Sequence, residues 1–197
     1  LNVPAHYIAG NVAQAKRLEE AGCEIVRVAI PDMEAAVERV RQAVDAPQRI
    51  LIYGDYDTDG ITATVLLYTY LKQAGVDVLY RIPLREEGYG LHSEAIDWAK
   101  ENGVQLIITV DTGVTAIQEI AHAASVGIDV VVTDHHECLP ELPDAVAVIN
   151  PHRHGSRYPF CELAGVGVGF KLISAFEEMV SGAPRGLCVA RICEKYA

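Results

Sequence analysis

The chain has no C-x-x-C pair, no apolar run near the ~20 residues that a membrane-spanning helix needs, and too few cations to balance its anions. Each absence excludes something. The five cysteines, Cys23, Cys138, Cys161, Cys188 and Cys193, form an odd set without paired spacing. That argues against a disulfide framework or a zinc ribbon and fits a reducing, cytoplasmic setting. The start, "LNVPAHYIAG", carries neither an initiator Met nor a basic n-region. No signal peptide is expected, and the chain reads as a fragment. Lys and Arg number 16 against 27 Asp and Glu, a net charge of −11. This disfavours broad, non-specific binding to nucleic acid, which relies on cations. It leaves room for a nuclease, because carboxylates that hold divalent ions are counted here as bare charge.

What is present is a globular composition. Of 197 residues, 50% are hydrophobic and 22% charged, enough for one domain with a real core, with or without an appendage. Helical and strand patterns alternate. "NVAQAKRLEEAG" reads as a helix and "EIVRVAI" as a strand; "DMEAAVERVRQAV" is a helix with Asp32 as N-cap. Then come strand "RILIYG", helix "GITATVLLYTYLKQAG" closed by Gly75, strand "DVLYRIP", and helix "HSEAIDWAKENG" capped by Ser93 and stopped by Gly103. Strand "QLIITVD", helix "TAIQEIAHAASVG", strands "DVVVTD" and "AVAVINP", helix "GFKLISAFEEMVSG" and a last helix "RGLCVARICEKYA" complete the series. Wholly apolar strands separated by helices predict an α/β fold: a parallel, Rossmann-like sheet of about five strands, covered on both faces. Residues 1–30 read as a helix–strand appendage to a domain over 31–197.

In "ILIYGDYDTDGITAT" three aspartates, Asp55, Asp57 and Asp59, stand at alternate positions before Gly60. An EF-hand loop begins this way but needs Glu at its twelfth position, where Leu66 stands, and a helix rather than a strand in front. The stretch is instead the carboxyl end of a strand, where α/β sheets place their ligands. Strands ending "YGDYD", "TVD" and "VTDHH" bring Asp55, Asp57, Asp59, Asp111, Asp134, His135 and His136 to one edge. Any one Asp, Asp55 above all, could serve instead as the N-cap of the next helix. Together, hard oxygen donors with one or two imidazoles suit Mn²⁺ or Mg²⁺ better than Zn²⁺. Several carboxylates predict two ions, with Asp111, on a middle strand, as their bridge. Of the adjacent histidines one should enter the site, with His135 the ligand, and the other should pack or orient it.

"LAGVGVGFKL" is a second glycine cluster entering a helix; Phe170 breaks the G-x-G-x-x-G spacing of a dinucleotide fold. It reads either as tight helix packing or as a phosphate seat at a helix N-terminus, which would make Gly165 and Gly167 substrate-binding. In "IPLREEGYG", Arg85 is either a phosphate contact or a surface cation. His152, Arg153, His154 and Arg157, with Tyr158 and Phe160, form a small basic and aromatic patch, either a base-stacking surface or a solvated loop. His6, His92 and His122 carry no spacing signal.

"YGDYDTDG", "TVDTG", "VTDHHE" and "LAGVGVGFKL" resemble the ordered motifs of the DHH phosphoesterases over residues 31 to 195. The resemblance is closest to the RecJ branch of single-strand-specific DNA exonucleases. "IPLREEGYGL" looks like that branch's loop, and Tyr53 stands where branches acting on pyrophosphate or small oligonucleotides carry His. The resemblance implies a Mn²⁺- or Mg²⁺-dependent phosphodiesterase that hydrolyses single-stranded DNA from its 5′ end, in repair and recombination. It implies Asp57, Asp59, Asp111 and His135 as metal ligands, Asp55 as a weaker one, and His136 as a partner of the scissile phosphate or of the ligand shell. It also implies a further ligand Asp, a second phosphoesterase-associated domain and an oligonucleotide-binding fold, none of them within this sequence. An enzyme of another DHH branch, acting on short oligonucleotides or cyclic dinucleotides, and a non-catalytic or chimaeric chain are the alternatives. Residues 11–36 resemble instead a helix–strand unit of hydroxymethylbutenyl diphosphate synthase.

Overall fold

The computed structural model describes residues 30–182; the expected first helix and strand and the last helix lie outside them. The chain runs α1 (Met33–Asp45), β1 (Arg49–Gly54), α2 (Thr58–Gln73), β2 (Val78–Arg81), α3 (Ser93–Glu101), β3 (Val104–Val110), α4 (Ile117–Ser125), β4 (Asp129–Thr133), β5 (Ala147–Ile149) and α5 (Gly165–Ser181). Its five strands pair in parallel in the order β2-β1-β3-β4-β5, as the apolar runs predict.

Alternation along each strand sends side chains to two cores. Ile50, Ile52, Leu106, Ile108, Val110, Val131 and Ile149 pack under α1, α2 and α5. Leu51, Tyr53, Ile107, Val130, Val132 and Val148 pack under α3 and α4. A strand buried on both faces has no polar alternate positions, which is why these segments read as continuous apolar runs.

The strand order reverses direction between β1 and β3. Gly54 and Val110, the last residues of these neighbours, are in register. The segments after them therefore leave side by side at the switch point, where open α/β sheets bind ligands. The ladder continues past the strand ends through Asp111 N–H to Thr133 O (2.9 Å) and Asp134 N–H to Ile149 O (3.1 Å).

Some caps and boundaries differ from expectation. Asp32 occupies the N-cap of α1 but makes no side-chain cap bond. Its carboxylate instead accepts from Val148 N–H at 3.1 Å and from the Arg153 guanidinium, tying the edge strand β5 to α1. The N-cap of α3 is His92, and Ser93 is the first helical residue. Helix α5 begins at Gly165 rather than at 169, because an acceptor far away in sequence holds its first N–H groups.

The Asp32 tie gives a stability prediction. Asp32→Ala leaves the Val148 N–H and Arg153 without that carboxylate and should cost about 1–2 kcal/mol. This would be read as a lower urea midpoint at unchanged slope. Asp32→Asn, which keeps an acceptor oxygen, should recover part of the loss. Equal midpoints for wild type and Asp32→Ala would refute the tie.

Candidate metal and phosphoester site

Each acidic side chain does a distinct job at the β1–β3 edge. Asp57 is the N-cap of α2, its Oδ1 accepting from Gly60 N–H at 2.9 Å. The capping role that any one of these aspartates could have taken thus falls on Asp57, whose carboxylate stays exposed. Asp55 is 1% exposed, and neither of its oxygens has a hydrogen-bond partner. Asp111 is likewise 1% exposed, and neither oxygen accepts a well-aligned hydrogen bond, although Oδ1 faces His135 Nε2 at 3.0 Å. Its φ of 61° is left-handed, a conformation disfavoured for a residue with a Cβ and found where surrounding structure enforces it.

Asp59 reaches across the site. Its Oδ2 accepts from Gly165 N–H at 2.7 Å and its Oδ1 from Val166 N–H at 2.8 Å. A carboxylate on the first N–H groups of a helix satisfies orphan donors and meets the positive end of the dipole. Of the two readings of the glycine cluster, the geometry therefore favours close packing. A Cβ on Gly165 would lie 2.3 Å from Asp111 Oδ1, and one on Gly169 would lie 2.8 Å from Leu67 Cδ1. Gly167, by contrast, has only Leu163 near its missing Cβ, at 3.3 Å.

Asp134 is the organiser of the imidazoles. It accepts from Val114 N–H (2.9 Å), His135 N–H (2.7 Å) and His136 N–H (3.1 Å), and its Oδ1 lies 2.7 Å from His136 Nδ1. Burial alone would push its carboxyl up, but the bonds from His136 and Val114 outweigh that and hold it below the usual range. In return Asp134 holds the His136 imidazolium above its usual range. His135 turns the other way, with Nε2 3.0 Å from Asp111 Oδ1 and 3.7 Å from Asp59 Oδ2.

Two groups of donor atoms result, each within 4.8 Å: Asp55, Asp57 and Asp111, and Asp111 with His135 and His136. They share Asp111. Burial first, then the charges of Asp59 and Asp57, raise the Asp111 pKa to about 8. Four buried carboxylate oxygens that accept no hydrogen bond, only one of them facing an imidazole, are costly in a protein interior. Divalent cations would compensate them, so the residues present fit Mn²⁺ or Mg²⁺.

Above this cluster lies the loop after β2. Arg85 is exposed, its guanidinium 5.2 Å from the ring centroid of Tyr56. Tyr89, 50% exposed, sets its hydroxyl 3.0 Å from His136 Nε2 and meets the Tyr56 ring edge-on at 5.9 Å. Reasoning from sequence overlooked Tyr56 and Tyr89. The "EGYG" spacing held the signal for Tyr89: Gly88 (φ 92°) and Gly90 (φ 104°) turn the backbone left-handed on either side of it. The basic patch divides. Arg153 is engaged by Asp32 and Tyr158 packs on the core, while His154, Arg157 and Phe160 face solvent. Among the described residues no helix is long and apolar enough to cross a membrane.

Comparison with known proteins shows the family and the fold. The chain is 49% identical over 144 residues to the single-stranded-DNA-specific exonuclease RecJ of Bacillus subtilis (strain 168), covering 73% of this chain and 18% of that protein. Its fold matches a crystal structure of exonuclease RecJ bound to manganese with a TM-score of 0.71 at 32% identity, covering 84% of this chain and 42% of that one. The chain thus spans less than half the length of these relatives. A 114-residue match at 32% identity to 4-hydroxy-3-methylbut-2-en-1-yl diphosphate synthase (flavodoxin) of Azotobacter vinelandii covers 57% of this chain and 28% of that protein. The sequence profile of the DHH family, N-terminal domain, matches residues 49–189, and the chain belongs to that family.

Proposed function

We propose that this chain is the catalytic half of a metal-dependent phosphodiesterase that removes nucleotides from the 5′ end of single-stranded DNA in repair and recombination. The observation that carries the reading is the pair of donor groups sharing Asp111, whose buried oxygens accept no hydrogen bond from the protein and face only the His135 imidazole. Asp55, Asp57 and Asp111 would hold one ion, and Asp111, His135 and His136 the other. Asp59 is a ligand candidate through its approach to His135, while its bonds to α5 fix where it stands. When bound, such ions supply positive charge to phosphate oxygens and lower the pKa of water.

The protein's own groups do the rest. Asp134 fixes the tautomer and direction of His136, as outer carboxylates do for ligating imidazoles. Arg85 offers the guanidinium that suits a phosphate, and Tyr56 and Tyr89 offer rings to a base. The peptide N–H groups of Gly165 and Val166 hold Asp59, so these glycine-cluster groups act on substrate through Asp59 rather than directly. Residues 31–197 form the DHH unit in this reading and 1–30 an appendage. The unit would work in the cytoplasm with a second phosphoesterase-associated domain that closes over the strand.

Tyr53 favours the strand-cleaving reading over the small-substrate branches. Its ring is buried and its hydroxyl donates to Gly90 O at 3.0 Å, so it serves the loop rather than an ion. The test is incubation with Mn²⁺ and a labelled single-stranded oligonucleotide. Mononucleotides should be released, duplex of the same sequence should resist, and His135→Ala should abolish release. Release undiminished in His135→Ala would overturn the assignment.

A further inference from the structure

Tyr53 contributes no donor to the ion cluster, yet it links the core to the loop above that cluster. Its ring lies in the same buried cluster as Leu91 and Ile96. A phenol hydroxyl in an apolar core needs an acceptor, and here the acceptor is loop backbone, the Gly90 carbonyl. Apart from the contacts of Tyr89 with His136 and Tyr56 and of Arg85 with Tyr56, which lie on its exposed side, the loop's other bonds are mostly internal. Glu87 N–H donates to Leu84 O at 2.9 Å, the Glu87 carboxylate accepts from Leu84 N–H at 2.5 Å, and a His92 ring nitrogen lies 3.3 Å from Gly88 O. Arg81, at 3.5 Å from Glu87, is a looser tie to the sheet. Tyr53 is thus the buried strut next to the residue whose hydroxyl meets His136.

We infer that Tyr53 is a positioning residue: through the Gly90 carbonyl it holds residues 84–90 at the height where Tyr56, Arg85 and Tyr89 receive a nucleotide strand beside the carboxylate–imidazole cluster. The second half of this inference rests on the strand-cleaving reading above; the first half rests on the contacts alone. The chemistry makes the strut a determinant of specificity. A small inorganic anion can use carboxylate-held ions but has no face for an aromatic ring, whereas every nucleotide has one. Lowering the loop's order therefore weakens the hold on a strand and leaves the ion cluster as it was.

Tyr53→Phe keeps the ring and removes only the hydroxyl. Three measurements on this chain decide the matter: amide hydrogen exchange over residues 84–92, Mn²⁺ affinity by titration, and anisotropy of a 5′-phosphorylated, phosphorothioate-linked single strand, which resists cleavage. Loss of one net hydrogen bond predicts exchange in the loop faster by about five- to ten-fold, strand affinity lower by a similar factor, and Mn²⁺ affinity unchanged. Ile96→Val, which loosens the same core elsewhere, should lower the melting temperature without changing strand affinity. Unchanged exchange in Tyr53→Phe overturns the strut whatever the substrate. Faster exchange with unchanged strand affinity overturns its role in specificity. A parallel fall in Mn²⁺ affinity makes Tyr53 a general structural residue and overturns the positioning role. If the wild type holds no strand at all, the strand-cleaving reading and the strut's specificity role fall together, and the exchange result alone decides the strut.

Discussion

Asp111→Asn is expected to do two opposite things at once. It should reduce strand hydrolysis by at least about 10³-fold, since both donor groups lose their shared carboxylate and ion catalysis contributes several kcal/mol. It should also stabilise the metal-free protein as pH rises through about 8, where it replaces a buried anion faced only by His135 with a neutral amide of the same shape. Relief of about 1–3 kcal/mol would raise the melting temperature by roughly 5 °C. The pH dependence gives the sign. The folded pKa of Asp111, about 8, lies above its ordinary value of 3.8. Its proton therefore favours the folded state. The stabilisation is fully present below the ordinary value and is lost as pH rises through about 8. Metal-free wild type should lose stability across that window, Asp111→Asn should not, and saturating Mn²⁺ should flatten the wild-type curve. Calorimetry at a series of pH values, with and without Mn²⁺, reads all three. A metal-free variant no more stable than wild type at any pH would contradict the account of Asp111 as a poorly compensated buried charge.

Gly165→Ala adds one methyl group and should be nearly as damaging. The new Cβ would stand 2.3 Å from Asp111 Oδ1 and 2.6 Å from both Asp111 Cβ and Cγ. Cβ and Cγ belong to a buried side chain on a left-handed residue, so Asp111 cannot swing clear as a surface lysine could. Either Asp111 or the start of α5 must move, and α5 is pinned there by Asp59. Overpacking of this kind costs about 1–3 kcal/mol. A displaced ligand costs more in function than in stability, and a shift of about 1 Å is enough to lose 10²-fold in rate. The expectation is a folded protein with weak Mn²⁺ binding and about 10²-fold lower activity. Gly167→Ala, whose Cβ meets only Leu163 at 3.3 Å, is the control and should be mild. Equal effects at the two glycines would refute the close approach to Asp111.

The strands and the edge were legible because their causes are local. Ile50, Leu51 and Ile52 announce a strand covered on both faces, and an aspartate directly after such a strand is conspicuous. The converging residues followed from parallelism, since every strand of a parallel sheet ends on the same side. What stayed hidden depends on partners distant in the chain. Nothing near Asp59 says that its carboxylate will cap a helix starting 106 residues later. Nothing near Gly165 says which carboxylate lies against it, so packing and phosphate binding remained open until Asp111 was in view. Ser93 and His92 differ by a single position in a fraying first turn, where composition is a weak guide. The N-cap that Asp55 could have supplied sits on Asp57 because both precede α2 and only the backbone path into the helix chooses between them.

The bonds from Asp59 to Gly165 and Val166 also bear on the order of folding. They close a span of more than a hundred residues, so they form only after β1, β3 and β4 have paired and α5 has docked. Helix α5 does not begin where it does until Asp59 is in place, and Asp59 has no fixed position until α5 arrives. The position of Asp59 beside the donor groups and the docking of α5 are therefore coupled, and neither is set by the sheet alone.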